Sequence, residues 1–223
     1  MLSPDRAPDK RAILIVDDHP LMRRGLKAMI ADEPDLFVSG EASDSHGALA
    51  AIARRAPDLA IVDLALEGGA DGLDLVRALK IRYPAIPALV LSMHPESLYG
   101  ERALRAGAQG YLNKQQLGDA VLVAIRRVLA GGIYVSESLG MTLAAHFVRG
   151  ASRTTSPLGV LSDRELQVFR FIGDGRRTRE IAAILHLSPK TIETYREHIK
   201  QKLGLDTASD LVRRAVRFVD GGE

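Results

Sequence analysis

The sequence predicts an α/β domain built on a parallel sheet, joined to a smaller all-α domain. From residue 12 to about 130, short apolar runs alternate with amphipathic stretches of helical length. From Leu161 onward the pattern is purely helical. The length of 223 residues leaves room for two such domains, each large enough to bury a core.

Five runs read as strands: Ala12 to Val16, Leu36 to Gly40, Leu59 to Asp63, Ala88 to Ser92 and Gly110 to Leu112. The first, third and fourth are the most continuously apolar, as central strands buried on both faces should be. Helices are expected near 20–32, 44–55, 72–82, 96–105 and 116–130. Pro20 and Pro95 stand where a helix's first turn tolerates proline, and Gly131-Gly132 ends the fifth helix. An apolar helical stretch follows at Ser138 to Val148, and then an aperiodic segment, Arg149 to Val160, containing Gly, Ser, Thr and Pro. The expected division is therefore 12–130 for the first domain, 131–160 for a linker and 157–220 for the second domain. The second domain reads as four helices at about 163–173, 179–186, 189–203 and 208–219. Ser162 with Glu165 and Thr207 with Asp210 have capping-box spacing, and Ser188-Pro189 offers an N-cap followed by a first-turn proline.

Composition narrows the function. With no cysteine there is no disulfide scaffold, thiol catalysis or thiolate metal site. No apolar run approaches the roughly 18 residues of a membrane span, and Met1 to Lys10 lacks a signal peptide's apolar core. A cytoplasmic protein without a membrane partner is expected. Residues 1–160 carry 18 basic and 18 acidic groups, whereas 161–217 carry 12 and 8, so the helical domain is mildly cationic. Aromatics make up only 4%, which argues against stacking on single-stranded bases.

Ligands of open α/β sheets bind beyond the carboxyl ends of the strands, where strand order reverses. Asp17 and Asp18 follow the first strand and Asp63 closes the third, so a 2-1-3-4-5 order brings three carboxylates to one crevice. Their mutual repulsion calls for cations, and Mg²⁺ prefers such oxygen ligands. Ser92 and Lys114 point to the same edge. A hydroxyl, an ammonium and a metal around a carboxylate suit a site that places a phosphoryl group on that carboxylate. Taken singly, the same residues also suit helix capping, backbone satisfaction and a solvated lysine.

Ile13 to Asp18, Asp63, Leu91-Ser92 and the run Gly107 to Lys114 resemble the receiver domain of bacterial two-component response regulators, a flavodoxin-like (βα)5 fold. The resemblance implies Asp63 as phosphoacceptor, Asp18, Asp63 and the Ala65 carbonyl as direct Mg²⁺ ligands, and Asp17 as a ligand through water. It further implies Ser92 bonding the phosphoryl group, Lys114 pairing with it and Tyr111 as the switch aromatic. The family usually has a Met-Pro-like pair after the phosphoacceptor and a glycine about eight residues on. Here Leu66-Glu67-Gly68-Gly69 lacks the proline and Gly72 comes nine residues on. A longer, more flexible loop is expected over the site, with Glu67 able to intrude on the metal.

In Lys190 to Leu203, helical periodicity puts Ile192, Tyr195, Ile199 and Leu203 on one apolar stripe. Lys190, Thr194, Glu197 and Gln201 take the opposite face, flanked by Glu193 and His198. The preceding short helix and the Leu187-Ser188-Pro189 connection make a helix-turn-helix, whose second helix fits a major groove roughly 12 Å wide. A helical bundle with a solvated polar face has the same pattern. Leu161 to Glu165, Glu180-Ile181-Ala182, Leu187 to Arg196 and Lys202 to Leu205 closely resemble the LuxR-type DNA-binding domain. Joined to a receiver, this is the layout of NarL/FixJ-class response regulators. The resemblance implies phosphate contacts from Lys190, Thr191, Arg196 and Lys200, with Glu193, Thr194 and Glu197 facing base edges. The two glutamates are equally suited to pairing with Arg196 and Lys200 at i, i+3.

The function expected is a phosphorylation-dependent transcription regulator. Its partners are a sensor histidine kinase or small phosphodonor, double-stranded DNA and, once active, a second copy of itself. The chain's own catalysis should not exceed self-phosphorylation and slow self-dephosphorylation. Two alternatives are a DNA-binding regulator made phosphate-independent by its 66–72 loop, and a Mg²⁺-dependent phosphohydrolase working through an aspartyl-phosphate. Against the latter, Leu64-Ala65 supplies no second carboxylate two residues after Asp63 to act as general acid.

Overall fold

The computed structural model describes residues 10–66, 72–116, 118–149 and 157–220. The chain forms two compact units, 1–148 and 149–223.

The first unit carries a five-stranded sheet in the order β2-β1-β3-β4-β5, parallel throughout. Its strands are β1 (Arg11–Val16), β2 (Leu36–Ala42), β3 (Leu59–Val62), β4 (Ala88–Ser92) and β5 (Gly110–Asn113). The helices are α1 (Pro20–Ala31), α2 (Ser45–Arg54), α3 (Gly72–Arg82), α4 (Glu96–Ala106), α5 (Asp119–Leu129) and α6 (Glu137–Arg149). The apolar runs of β3 and β4 are buried at every position, as expected of central strands, whereas edge strand β2 is half-buried along most of its length. Alternation sends Ile13, Ile15, Leu59, Ile61, Leu89 and Leu91 to the face covered by α1 and α5, where Leu26, Ile30, Val121, Ile125 and Val128 meet them.

Register fixes what converges at the carboxyl edge. Val16 lies opposite Val62, and Ser92 opposite Asn113. The next residues, Asp17 and Asp63, therefore leave the sheet side by side, while Lys114 follows the end of β5 two strands away and reaches them through its long side chain.

Two boundaries of the first unit differ from the expectation by more than two residues. The helix expected at 116–130 begins only at Asp119, because Lys114–Gln116 form a 3-10 turn and Gly118, at φ 134°, breaks the chain direction. Residues after 130 do not all behave as linker. Tyr134 forms a parallel bridge with Gly110, accepting a hydrogen bond from Tyr111 N at 2.8 Å and donating its own N–H to Gln109 O at 2.9 Å.

The second unit holds a 3-10 turn (Pro157–Val160) and α7 (Asp163–Gly173), α8 (Thr178–Ile184), α9 (Pro189–Leu203) and α10 (Ala208–Val219). Phe169, Ile181, Ile192, Ile199 and Leu211 form its buried centre. Both capping boxes form, at Ser162/Glu165 and at Thr207/Asp210. Helix α8 stops two residues short of expectation, and His186 takes a left-handed φ of 51° in the turn before α9. Among the described residues no helix is long and apolar enough to cross a membrane.

Glu165 does more than cap. It is buried, and its Oε2 accepts both Ser162 N–H at 2.7 Å and Lys202 Nζ at 2.6 Å, tying α7 to α9. Burial pushes its pKa up, but the bonds from Lys202 and Ser162 outweigh that and hold the carboxyl below its ordinary value. The folded unit thus binds fewer protons here than the unfolded chain. Its contribution is complete above the ordinary value of 4.5 and is lost as pH falls through the lower folded value. Glu165→Gln should flatten that acid loss, and Glu165→Ala should cost about 1–3 kcal/mol at neutral pH. Amide exchange of α7 and α9 at pH 7 and pH 4 measures both; equal pH profiles for wild type and Glu165→Gln would sink the assignment.

Candidate functional site

The carboxyl edge of the first unit collects the predicted residues. Asp17 and Asp63 are almost fully buried, Asp18 is half-buried, and Ser92 is completely enclosed. Lys114 is also buried, and its Nζ donates to Asp17 Oδ2 at 2.6 Å and to Asp63 Oδ2 at 2.7 Å. Asp17 Oδ1 accepts the N–H of His19 at 2.8 Å, so both oxygens of Asp17 are engaged by the protein. Asp63 Oδ1, by contrast, is buried and has no hydrogen-bond partner.

Burial pushes the Asp63 carboxyl above the usual range, opposed by the Lys114 ammonium. Burial also acts to lower the Lys114 pKa, but the carboxylates of Asp63 and Asp17 override it and hold the ammonium above its ordinary value. The result is a lysine locked in charged form between two carboxylates.

Around this centre, Ser92 Oγ accepts the N–H of His94 at 3.2 Å. The Tyr111 ring is buried and its hydroxyl donates to the His94 carbonyl at 2.8 Å. Burial pushes this phenol far above its ordinary range, so it is a hydrogen-bond donor at any working pH.

In the second unit, α8 and α9 form the helix-turn-helix. Ile192 and Ile199 face inward as expected, while Tyr195 and Leu203 are only half-buried. Lys190, Glu193, Thr194 and Glu197 are exposed; Thr191, Arg196 and Lys200 are half-buried. Thr191 is engaged in the cap, where its N–H and hydroxyl both meet Ser188 Oγ. Glu193 lies 3.7 Å from Arg196 and accepts the Thr178 hydroxyl at 2.7 Å, and Glu197 lies 3.0 Å from Lys200. The i, i+3 pairs considered for both glutamates therefore form.

Comparison with known proteins decides the family. Residues 13–126 match the response regulator receiver domain, and residues 159–215 match the bacterial regulatory proteins of the luxR family. The oxygen regulatory protein NreC of Staphylococcus aureus is 34% identical over 209 residues, covering 92% of this chain and 96% of NreC. The chain belongs to the response regulators.

Solved structures agree on the fold. The response regulator RcsB of Salmonella typhimurium aligns with TM-score 0.74 at 24% identity, over 94% of this chain and 98% of that one. A LuxR-family response regulator from Aurantimonas is 31% identical with TM-score 0.57, covering 63% of this chain and 99% of its own.

Within this response regulator, Asp17, Asp18, His19 and Asp63 each offer one ligand atom, all within 4.8 Å of one another. The buried, unbonded Oδ1 of Asp63 and the oxygen chemistry of three carboxylates fit a hard divalent cation. The engagement of both Asp17 oxygens fits a role through water rather than a direct one. His19 was missed at the sequence level; its Nδ1 lies 2.6 Å from Asp18 Oδ1, and adjacency to the Asp pair was the available signal. Arg176, Arg177 and Arg179 are exposed around the start of α8. Glu67 and most of the 66–72 loop lie outside the described residues.

Proposed function

We propose that the chain is a phosphorylation-controlled transcription regulator in which Asp63 accepts a phosphoryl group from a histidine kinase or a small phosphodonor. The observation that carries this reading is the pairing of Lys114 with a buried Asp63 whose other oxygen holds no hydrogen bond. An Asp63 oxygen attacks phosphorus, an acyl-phosphate P–O bond forms, and the bond to the donor breaks with its electron pair, the donor taking a proton from solvent. A Mg²⁺ ion, with Asp18, Asp63 and the Ala65 carbonyl as direct ligands and Asp17 acting through water, would neutralise the phosphoryl oxygens. Lys114 shifts its charge from two carboxylates toward the new dianion. Ser92 donates its hydroxyl to a phosphoryl oxygen, and Tyr111, bonded to the same β4–α4 turn, follows. The chain's own catalysis extends to this transfer and to slow self-dephosphorylation.

The readout is homodimerisation and binding of double-stranded DNA in the cytoplasm. Two copies of α9 on half-sites about one helical turn apart bind a near-palindrome far better than one does. Lys190, Thr191, Arg196 and Lys200 contact phosphates, and Glu193, Thr194 and Glu197 face base edges. The existing pairs of Glu193 with Arg196 and Glu197 with Lys200 must loosen for those cations to reach DNA. A structure of RcsB from Salmonella enterica bound to promoter DNA with the phosphomimetic BeF3⁻ supports this scheme by likeness of fold.

Retention of sheared genomic DNA, measured with and without phosphodonor at several salt concentrations, tests the switch. Phosphodonor should tighten binding about 5–150-fold, and affinity should fall steeply as salt rises. Identical retention in both states would overturn the proposal.

A further inference from the structure

We infer that the first turn of α6 is a latch, holding the helix that leads out of the receiver in its resting position until Asp63 is phosphorylated. The inference rests on the function proposed above and adds the route by which the signal leaves the domain.

The segment entering α6 is fastened to the two elements that border the phosphoacceptor site. On the β5 side, Tyr111 donates its backbone N–H to Tyr134 O at 2.8 Å, while its hydroxyl bonds the His94 carbonyl. On the α4 side, Glu96 Oε1 accepts the N–H of Ser136 at 3.0 Å, and Ser136 Oγ in turn caps α6 by accepting Leu139 N–H at 3.1 Å. Leu139 is buried against Gly100 so closely that a Cβ on Gly100 would stand 2.5 Å from Leu139 Cδ2. Farther along α6, Met141, Phe147 and Val148 are 68%, 90% and 82% exposed. Among the described residues, the tie of the α6 entry to α4 is Leu139 with the Glu96–Ser136 hydrogen bond, and so small a tie is one that a modest change can release.

The site reaches that fastening through two residues. His94 is bonded through its N–H to Ser92, at a distance already near the long end for a hydrogen bond, and its ring stacks on Tyr99 of α4 at 4.7 Å. Its carbonyl also holds Asn113 Nδ2 at 3.1 Å. When Ser92 is drawn toward a phosphoryl group, the turn through His94 and Pro95 shifts relative to β5. Glu96, the next residue, loses its alignment with Ser136, and α6 is freed.

The test compares full-length wild type, Leu139→Ala and Glu96→Ala, each with and without acetyl phosphate and Mg²⁺. Label on Asp63, retention of sheared genomic DNA at fixed salt, and amide exchange at Ser136 and Leu139 to Leu143 are measured. Phosphorylation of wild type should speed exchange at those amides about tenfold. Both variants should take label as wild type does and, unphosphorylated, bind DNA about tenfold more tightly than resting wild type, with little further gain on phosphorylation. Variants that take label but keep the resting affinity of wild type overturn the latch. If Leu139→Ala loses label through misfolding, Glu96→Ala, which deletes a single acceptor, decides alone. A wild type that takes no label overturns the Asp63 reading as well, which separates the two failures.

Discussion

Asp63→Asn should take up no phosphoryl group from any donor, while the receiver stays folded. The amide is nearly isosteric with the carboxylate but has no anionic oxygen to attack phosphorus. Folding should survive because Lys114 keeps its second partner, Asp17, at 2.6 Å, so no buried cation is left unpaired. The loss should extend downstream: DNA retention by the variant should not respond to phosphodonor. Incorporation is read by radiolabel or intact mass, and folding by amide exchange of the β1, β3 and β4 core. Label retained on Asp63→Asn would refute the assignment of the acceptor and with it the switch.

Gly72→Ala should be the most damaging conservative substitution near the site. A Cβ there would stand 2.0 Å from the Asp63 carbonyl oxygen and 2.7 Å from Leu64 Cα. Both are backbone atoms of the phosphoacceptor turn, and Gly72 N–H is itself bonded to Leu64 O at 3.0 Å. Relief must come from moving Asp63 or the start of α3. A core overpacked in this way loses about 1–3 kcal/mol, and an ångström-scale displacement of a reacting group costs up to about a hundredfold in rate. Phosphorylation should therefore slow by at least about tenfold even where the variant remains folded. Gly25→Ala is the contrast: nothing lies within 4 Å of its Cβ position, and it should stabilise α1 by about 0.5–1 kcal/mol. A Gly72→Ala protein with wild-type stability and wild-type initial rate would show that the close approach is not needed.

The glycine nine residues after Asp63 is also where the sequence reading met its limit. Its spacing departs from the family pattern, which suggested only a longer loop. Its purpose became visible from the contact: the absence of a side chain lets α3 start directly against the acceptor's own carbonyl. Likewise, the Ser162 and Glu165 spacing announced a capping box, but nothing local revealed that Lys202, 37 residues on, would share the same carboxylate oxygen. Residues 131–148, with the apolar helical stretch from Ser138, are placed with the linker because nothing local in that stretch shows what it packs against. Only the strand edge at Gly110 and the bare backbone at Gly100 show that the segment is fastened to the receiver.

Periodicity, turn residues and caps are properties of neighbouring positions, and those alone determined the strands, helices and two-part organisation of this protein. They also placed Asp17, Asp18 and Asp63 at strand ends, because a parallel sheet covered by helices exposes its carboxyl edge in one direction. Which groups then touch was decided by strand register and helix packing across long separations. Strand pairing sets Asp17 beside Asp63, and the order β1-β3-β4-β5 brings the end of β5 near enough for the Lys114 side chain, 51 residues beyond Asp63, to bridge them, an arrangement that no single segment encodes.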